Sequence, residues 1–194
     1  MISKKREYFK SQVNYFSRMT NEIDSLKNIL KKNIKDIDIW IKLGYAYIQN
    51  LEYIKAIGAF NEALKLNPED AINWHNLGYV YYEIEAYDKA IIALNKAIKL
   101  NPKLAISWRE LSSIYNDIEN FEKAIETSKR ALEINDRDEC VWTNLGSAYY
   151  NTKQYDKAIT SLKKALEIVP NLKFTEKVLK LAENAKKAKF GSKF

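Results

Sequence analysis

The stretch AINWHNLGYVYYEIEAYDKAIIALNKAIKLNPKL, from Ala71 to Leu104, is 34 residues long. A step of 34 residues in either direction meets a recognisable copy of it. All four tryptophans keep that step, as Trp40, Trp74, Trp108 and Trp142. Leu43, Leu77, Leu111 and Leu145 follow them, then Tyr47, Tyr81, Tyr115 and Tyr149. Later in the unit Ala56, Ala90, Ala124 and Ala158 recur in phase, and so do Ala63, Ala97, Ala131 and Ala165. A fixed period of this length marks a solenoid, in which each unit buries its apolar face only on its neighbours.

Within the unit the apolar spacing is helical. Trp74, Leu77, Gly78 and Tyr81 stand at i, i+3, i+4 and i+7, which is one face of a first helix. Ala90, Ile91, Leu94, Ala97 and Ile98 make the facing stripe of a second. Glycine and alanine fall where the two axes must approach to roughly 8–10 Å. Pro68, Pro102 and Pro170 come just past the second helices, where a missing N–H and a fixed φ stop helix growth. An aromatic residue opens each second helix, as Tyr53, Tyr87, Phe121 and Tyr155.

These W-x-x-L-G-x-x-Y units resemble tetratricopeptide repeats, and the resemblance covers residues 37–172 as four copies: 37–70, 71–104, 105–138 and 139–172. It implies an all-α fold, a right-handed superhelical solenoid of helix-turn-helix repeats. The third copy departs most: Ser112 stands for the glycine, Ser128 for Phe60, Leu94 and Leu162, and Asp136 for the proline. Its packing is expected to be looser. Residues 1–36 read as a degenerate N-terminal repeat or helical cap. Within it, 20–33 is a second helix carrying Ile23, Leu26 and Leu30, and 6–18 a first helix without the signature. Residues 173–194 read as a C-terminal capping helix with a frayed tail, Phe174, Val178, Leu181 and Ala185 forming its apolar stripe.

Bulk properties narrow the setting. No run of 18 or more apolar residues is present, so no membrane span is expected. The lone Cys140 cannot form an internal disulfide, which suits a reducing, cytoplasmic location, and no signal peptide is seen. The net charge of +7 is unevenly spread. Residues 1–36 hold nine basic and four acidic side chains, residues 173–194 seven and two, and the middle 16 and 19. Basic ends suit either solubility of terminal repeats or an acidic partner such as nucleic acid.

No constellation for catalysis is found. One His and one Cys supply no metal-ligand set, and the five glycines form no phosphate loop. His75 and Cys140 lie two repeats apart, on the order of 20 Å, which is too far for a nucleophile–base pair. No cofactor and no metal are expected.

The resemblance further implies that first helices line a concave groove for a peptide or partner helix, at the second, fifth, sixth, ninth, twelfth and thirteenth places of each unit. The candidate contacts are Ile41, Tyr45 and Ile48, then Ile72, His75, Asn76, Tyr79 and Tyr82, then Arg109, Asn144 and Tyr150. The first two repeats thus offer an apolar, aromatic strip, and the last two mainly polar groups. The carboxylate clamp of the family's chaperone adaptors is not matched: Asn76 fits its middle place, but Ile41, Tyr45, Ile106 and Glu110 occupy the rest. The expected function is therefore a non-catalytic interaction scaffold or adaptor binding a protein or peptide. Nucleic-acid or acidic-surface binding through the basic ends, and a role as regulatory subunit of a separate enzyme, stay open beside it.

Overall fold

The computed structural model describes residues 20–191. Among the described residues there are ten helices and no strand. They are α1 over 20–32, α2 Ile37–Gln49, α3 Tyr53–Leu66, α4 Ala71–Glu83, α5 Tyr87–Leu100, α6 Ala105–Asp117, α7 Phe121–Ile134, α8 Glu139–Asn151, α9 Tyr155–Ile168 and α10 Lys173–Gly191. The architecture is an all-α repeat solenoid. The first helix expected over 6–18 lies outside the described residues. No helix in them is long and apolar enough to cross a membrane. The chain divides into two compact units, Met1–Leu100 and Asn101–Phe194.

In the first unit α2 pairs with α3 and α4 with α5. The core joins Leu43, Ala46 and Tyr47 of α2 to Ala56, Phe60 and Leu64 of α3, with Ile23, Leu26 and Leu30 of α1 completing it. Asp36 and Asp70 cap α2 and α4 by accepting hydrogen bonds from first-turn amides. The glycines mark the tightest approaches. A methyl on Gly44 would lie 2.5 Å from Phe60 Cε1, and one on Gly78 would lie 2.7 Å from Leu94 Cγ. Gly58, on the exposed side of α3, has nothing within 4 Å of such a methyl.

The second unit pairs α6 with α7 and α8 with α9, and α10 packs on α9 and α8. A methyl on Gly146 would meet Leu162 Cγ at 2.5 Å. In the same register of the third repeat both residues are serine, and Ser112 and Ser128 are both fully buried. A side chain at the glycine place is thus matched by a short one at the leucine place. The α10 stripe is corrected. The residues it buries are Thr175, Val178 and Ala182, while Phe174 and Leu181 are exposed.

Three features recur that the period alone did not reveal. Each tryptophan is half-buried, and its Nε1–H donates to the carbonyl six residues earlier: Ile34, Pro68, Pro102 and Asp136, at 2.8, 2.8, 3.0 and 2.8 Å. The acceptor is backbone, so Asp136 serves as well as proline. Lys55, Lys89, Lys123 and Lys157 sit 5.3–5.7 Å above the rings of Tyr47, Tyr81, Tyr115 and Tyr149, a cation–π contact repeated in every unit. Finally, the intra-repeat turns place Leu51, Glu85, Glu119 and Lys153 at φ of 57–59°, left-handed backbone that favours glycine.

Two substitutions read out these backbone facts. Glu85→Gly relieves the left-handed strain and is expected to raise stability by about 0.5–1 kcal/mol. Gly58→Ala, in open space on a helix, is expected to gain a similar ~0.5–1 kcal/mol. Urea midpoints of both variants check this; a lower midpoint for either contradicts the strain or the space assigned.

Candidate functional site

On the first unit α2 and α4 are linked by a hydrogen bond. Asn76 Nδ2 donates to Tyr45 Oη at 2.7 Å, and the Tyr45 ring stands edge-on to Phe60 at 5.7 Å and 80°. Tyr45 remains 41% exposed and Ile72 55%. Ile41, Ile48 and Tyr79 are half-buried and pack on the core behind them. Tyr82 is half-buried too, its ring 6.2 Å from that of Tyr87. These six side chains lie on α2 and α4, and three of them, Ile41, Ile48 and Tyr79, also serve the core. His75 and Asn76 are buried. The Asn76 amide is committed to Tyr45, which removes it from any carboxylate clamp. Tyr53, at the start of α3, donates to Glu83 at 3.1 Å, and burial together with that carboxylate pushes its phenol pKa up.

In the second unit the corresponding surface is polar and bonded to itself. Asn144 Nδ2 donates to Ser112 Oγ and Ser113 Oγ at 2.8 and 2.9 Å, and Asn116 Nδ2 donates to the Asn144 carbonyl at 3.1 Å. Arg109 bridges Glu110 at 3.1 Å and Asp138 at 3.4 Å. Burial alone would lower the Arg109 pKa, but the two carboxylates more than offset it and the pKa rises. Arg109 and Asn144 thus have internal partners, and Tyr150 lies 6.1 Å from the Tyr155 ring. Thr143 and Thr175 share a buried hydroxyl bond of 2.9 Å that fastens α10 to α8.

A cavity of about 550 Å³ opens beside this network, lined by Arg109, Glu110, Cys140, Thr143, Asn144 and Phe174 among others. Cys140 is a free thiol on its wall. Burial pushes the Cys140 pKa up, and Glu139 and Asp138 push it further, so the thiol is held protonated rather than activated. Among the described residues no three His, Cys, Asp or Glu side chains converge on a point where a metal ion could sit.

Sequence reasoning missed Phe174 and Leu181 as surface residues. The signal was present in the period. The helix starts 37, 71, 105, 139 and 173 are each 34 apart, so α10 keeps the phase of a first helix and these two residues fall at its second and ninth places.

Comparison with known proteins agrees with the architecture. Three family models described as tetratricopeptide repeat match residues 41–105, 106–138 and 140–172. Among solved structures, the chain is similar to MamA at 26% identity and a TM-score of 0.74, over 81% of this chain and 92% of that one. MamA from Desulfovibrio magneticus RS-1 matches at 21% identity and a TM-score of 0.72, over 85% and 93%. YrrB, described as a TPR protein with an unusual peptide-binding site, matches at 19% identity and a TM-score of 0.72, over 85% of each chain. A search of curated proteins finds no match. With repeat models spanning 41–172 and the repeat solenoid in hand, the chain belongs to the tetratricopeptide-repeat family.

Proposed function

We propose that the chain is a non-catalytic interaction scaffold, and that the strip on α2 and α4 holds an extended peptide or a partner helix. The observation that supports this reading is the Tyr45–Asn76 bond, which links α2 to α4 one helical turn from the exposed Ile72. Contiguous exposed apolar surface is retained mostly where something binds, and tyrosine is a frequent anchor. Ile72 is the residue for a test, since its exposure separates binding from folding.

Twelve-residue peptides selected from a displayed library on the full chain are expected to be apolar and aromatic. Ile72→Asp should weaken the selected peptides about tenfold or more in calorimetry, with the helical circular dichroism unchanged. Affinity should hardly change between roughly 50 and 200 mM salt, because neutral contacts release no counterions. A steep salt dependence together with indifference to Ile72→Asp would favour binding of acidic surfaces by the basic ends instead. The cytoplasmic setting belongs to the same reading and rests on the single cysteine.

A further inference from the structure

A cluster of lysines lies away from the groove, where the end of α10 passes the turn between α8 and α9. The preceding first helices each span 13 residues, whereas α10 spans 19. Its last part, 186–191, therefore runs on for about 9 Å beyond the point where the others turn. That overhang brings Lys186 to the Asp156 carboxylate and Lys189 to 6.0 Å from the centre of the Tyr155 ring. Together with Lys153 of the turn and Lys157 of α9, these side chains line a cavity of about 310 Å³. They stand at the fourteenth to nineteenth places of their units, so none is a groove residue.

Charge around this cavity is largely of one sign. Four lysines line it and, among the described residues, Asp156 is the one acid that does, which leaves +3. Asp156 is already paired with Lys186. Lys157 donates to the Gln154 side-chain carbonyl at 2.8 Å and lies 5.4 Å above the Tyr149 ring, contacts that leave its charge in place. Lys153 occupies the left-handed place, at φ 59°, that Leu51, Glu85 and Glu119 hold in the earlier turns. Nearby acids do not cancel the excess. Glu183 pairs with Lys163, and Glu119 and Glu122 of the preceding turn do not line the cavity. The start of α9 forms one wall, and its first-turn amides have no side-chain cap, which adds a partial positive charge.

We propose that this cavity binds a compact phosphate chain, such as a triphosphate. Lysines act as point charges that neutralise phosphate oxygens without demanding a fixed bidentate geometry. The volume is at the low end for ligand pockets, roughly 300–1,000 Å³, and suits a few phosphates rather than a large ligand. The Tyr155 ring is already in contact with Lys189 and with the Tyr150 ring at 6.1 Å, so stacking of a base adds nothing. Phosphate is thus the part of the ligand that the site reads. The site is separate from the strip on α2 and α4, so Ile72→Asp should leave it untouched.

Calorimetry on the full chain at about 50 mM salt tests this with inorganic triphosphate, ATP, citrate and a short single-stranded oligonucleotide as probes. Triphosphate is expected to bind about tenfold or more tightly than citrate, and ATP to match triphosphate within about twofold. Lys153→Gln with Lys157→Gln should weaken triphosphate about tenfold or more. Lys163→Gln with Lys164→Gln removes the same charge from the same unit and should change it less than about twofold. Asp156→Asn removes the acid and releases Lys186, so it should tighten binding about threefold or more. Circular dichroism checks that every variant keeps its helices. Equal losses in the two double variants would reduce the effect to overall charge and overturn the proposal. A silent Asp156→Asn, or citrate binding as tightly as triphosphate, does the same. ATP binding tenfold more tightly than triphosphate would mean that the base is read, and overturns it. So does an oligonucleotide that outcompetes triphosphate through Lys153 and Lys157, which would make the ligand a nucleic acid.

Discussion

Ser128→Leu is expected to destabilise the chain by about 2–3 kcal/mol, and Ser112→Gly in the same molecule to restore most of that loss. In three repeats a glycine on the first helix faces a large side chain sixteen residues on, and a methyl on it would come within 2.5–2.7 Å of that neighbour. The third repeat solves the same contact with two serines, both fully buried. A leucine at 128 would drive its branch into Ser112, an overpacking of the kind that costs about 1–3 kcal/mol. It would also remove the Ser128 hydroxyl, which is buried without a hydrogen-bond partner, a gain that trims the cost. Ser112→Gly alone should lose about 1–2 kcal/mol, from helix propensity and from the Ser112 bonds to the Arg109 carbonyl and to Asn144. Together they recreate the packing of the other repeats, so the losses should not add. Urea unfolding of the four proteins measures the coupling. Simple additivity would mean that the two positions are not packed against each other.

The second large effect falls on the tryptophans. Trp74→Ala should cost about 3 kcal/mol, the low end for a large aromatic because the ring is half-buried. Trp74→Phe keeps most of the packing on the core and loses the indole hydrogen bond to the Pro68 carbonyl, so about 1 kcal/mol is expected. The gap between the two variants separates packing from hydrogen bonding. Equal losses would place nearly all the stabilisation in the N–H, and a silent Trp74→Phe would place none there.

The fold was legible because a repeat states its constraint four times. Any one tryptophan or alanine could be accidental, but a shared step of 34 could not. The contacts that fix partner choice were less legible, because they depend on which neighbour a side chain reaches. Asn76 and Arg109 have the chemistry of binding residues, yet one is taken by Tyr45 and the other by Glu110 and Asp138. The apolar stripe of α10 was misplaced for a different reason. Phe174, Val178, Leu181 and Ala185 share a face by spacing alone, but α8 and α9 cover the side bearing Thr175 and Ala182. The phase of α10 as a first helix turns Thr175 inward and Phe174 outward, and Thr175 finds a hydroxyl partner there in Thr143 at 2.9 Å.

The phase of α10 has a consequence for growth of the array by duplication. Because Lys173 begins a helix 34 residues after Glu139, α10 starts in register with the four first helices before it. What marks α10 as different is its length, 19 residues against 13 in each preceding first helix, and three side chains, Glu176, Lys180 and Glu183, where those helices carry Trp, Gly or Ser, and Tyr. A first helix of the usual length at this place needs those replacements and a turn where the last part of α10 is still helical. Solenoids of this kind can lengthen or shorten by whole units while the rest of the chain keeps its contacts.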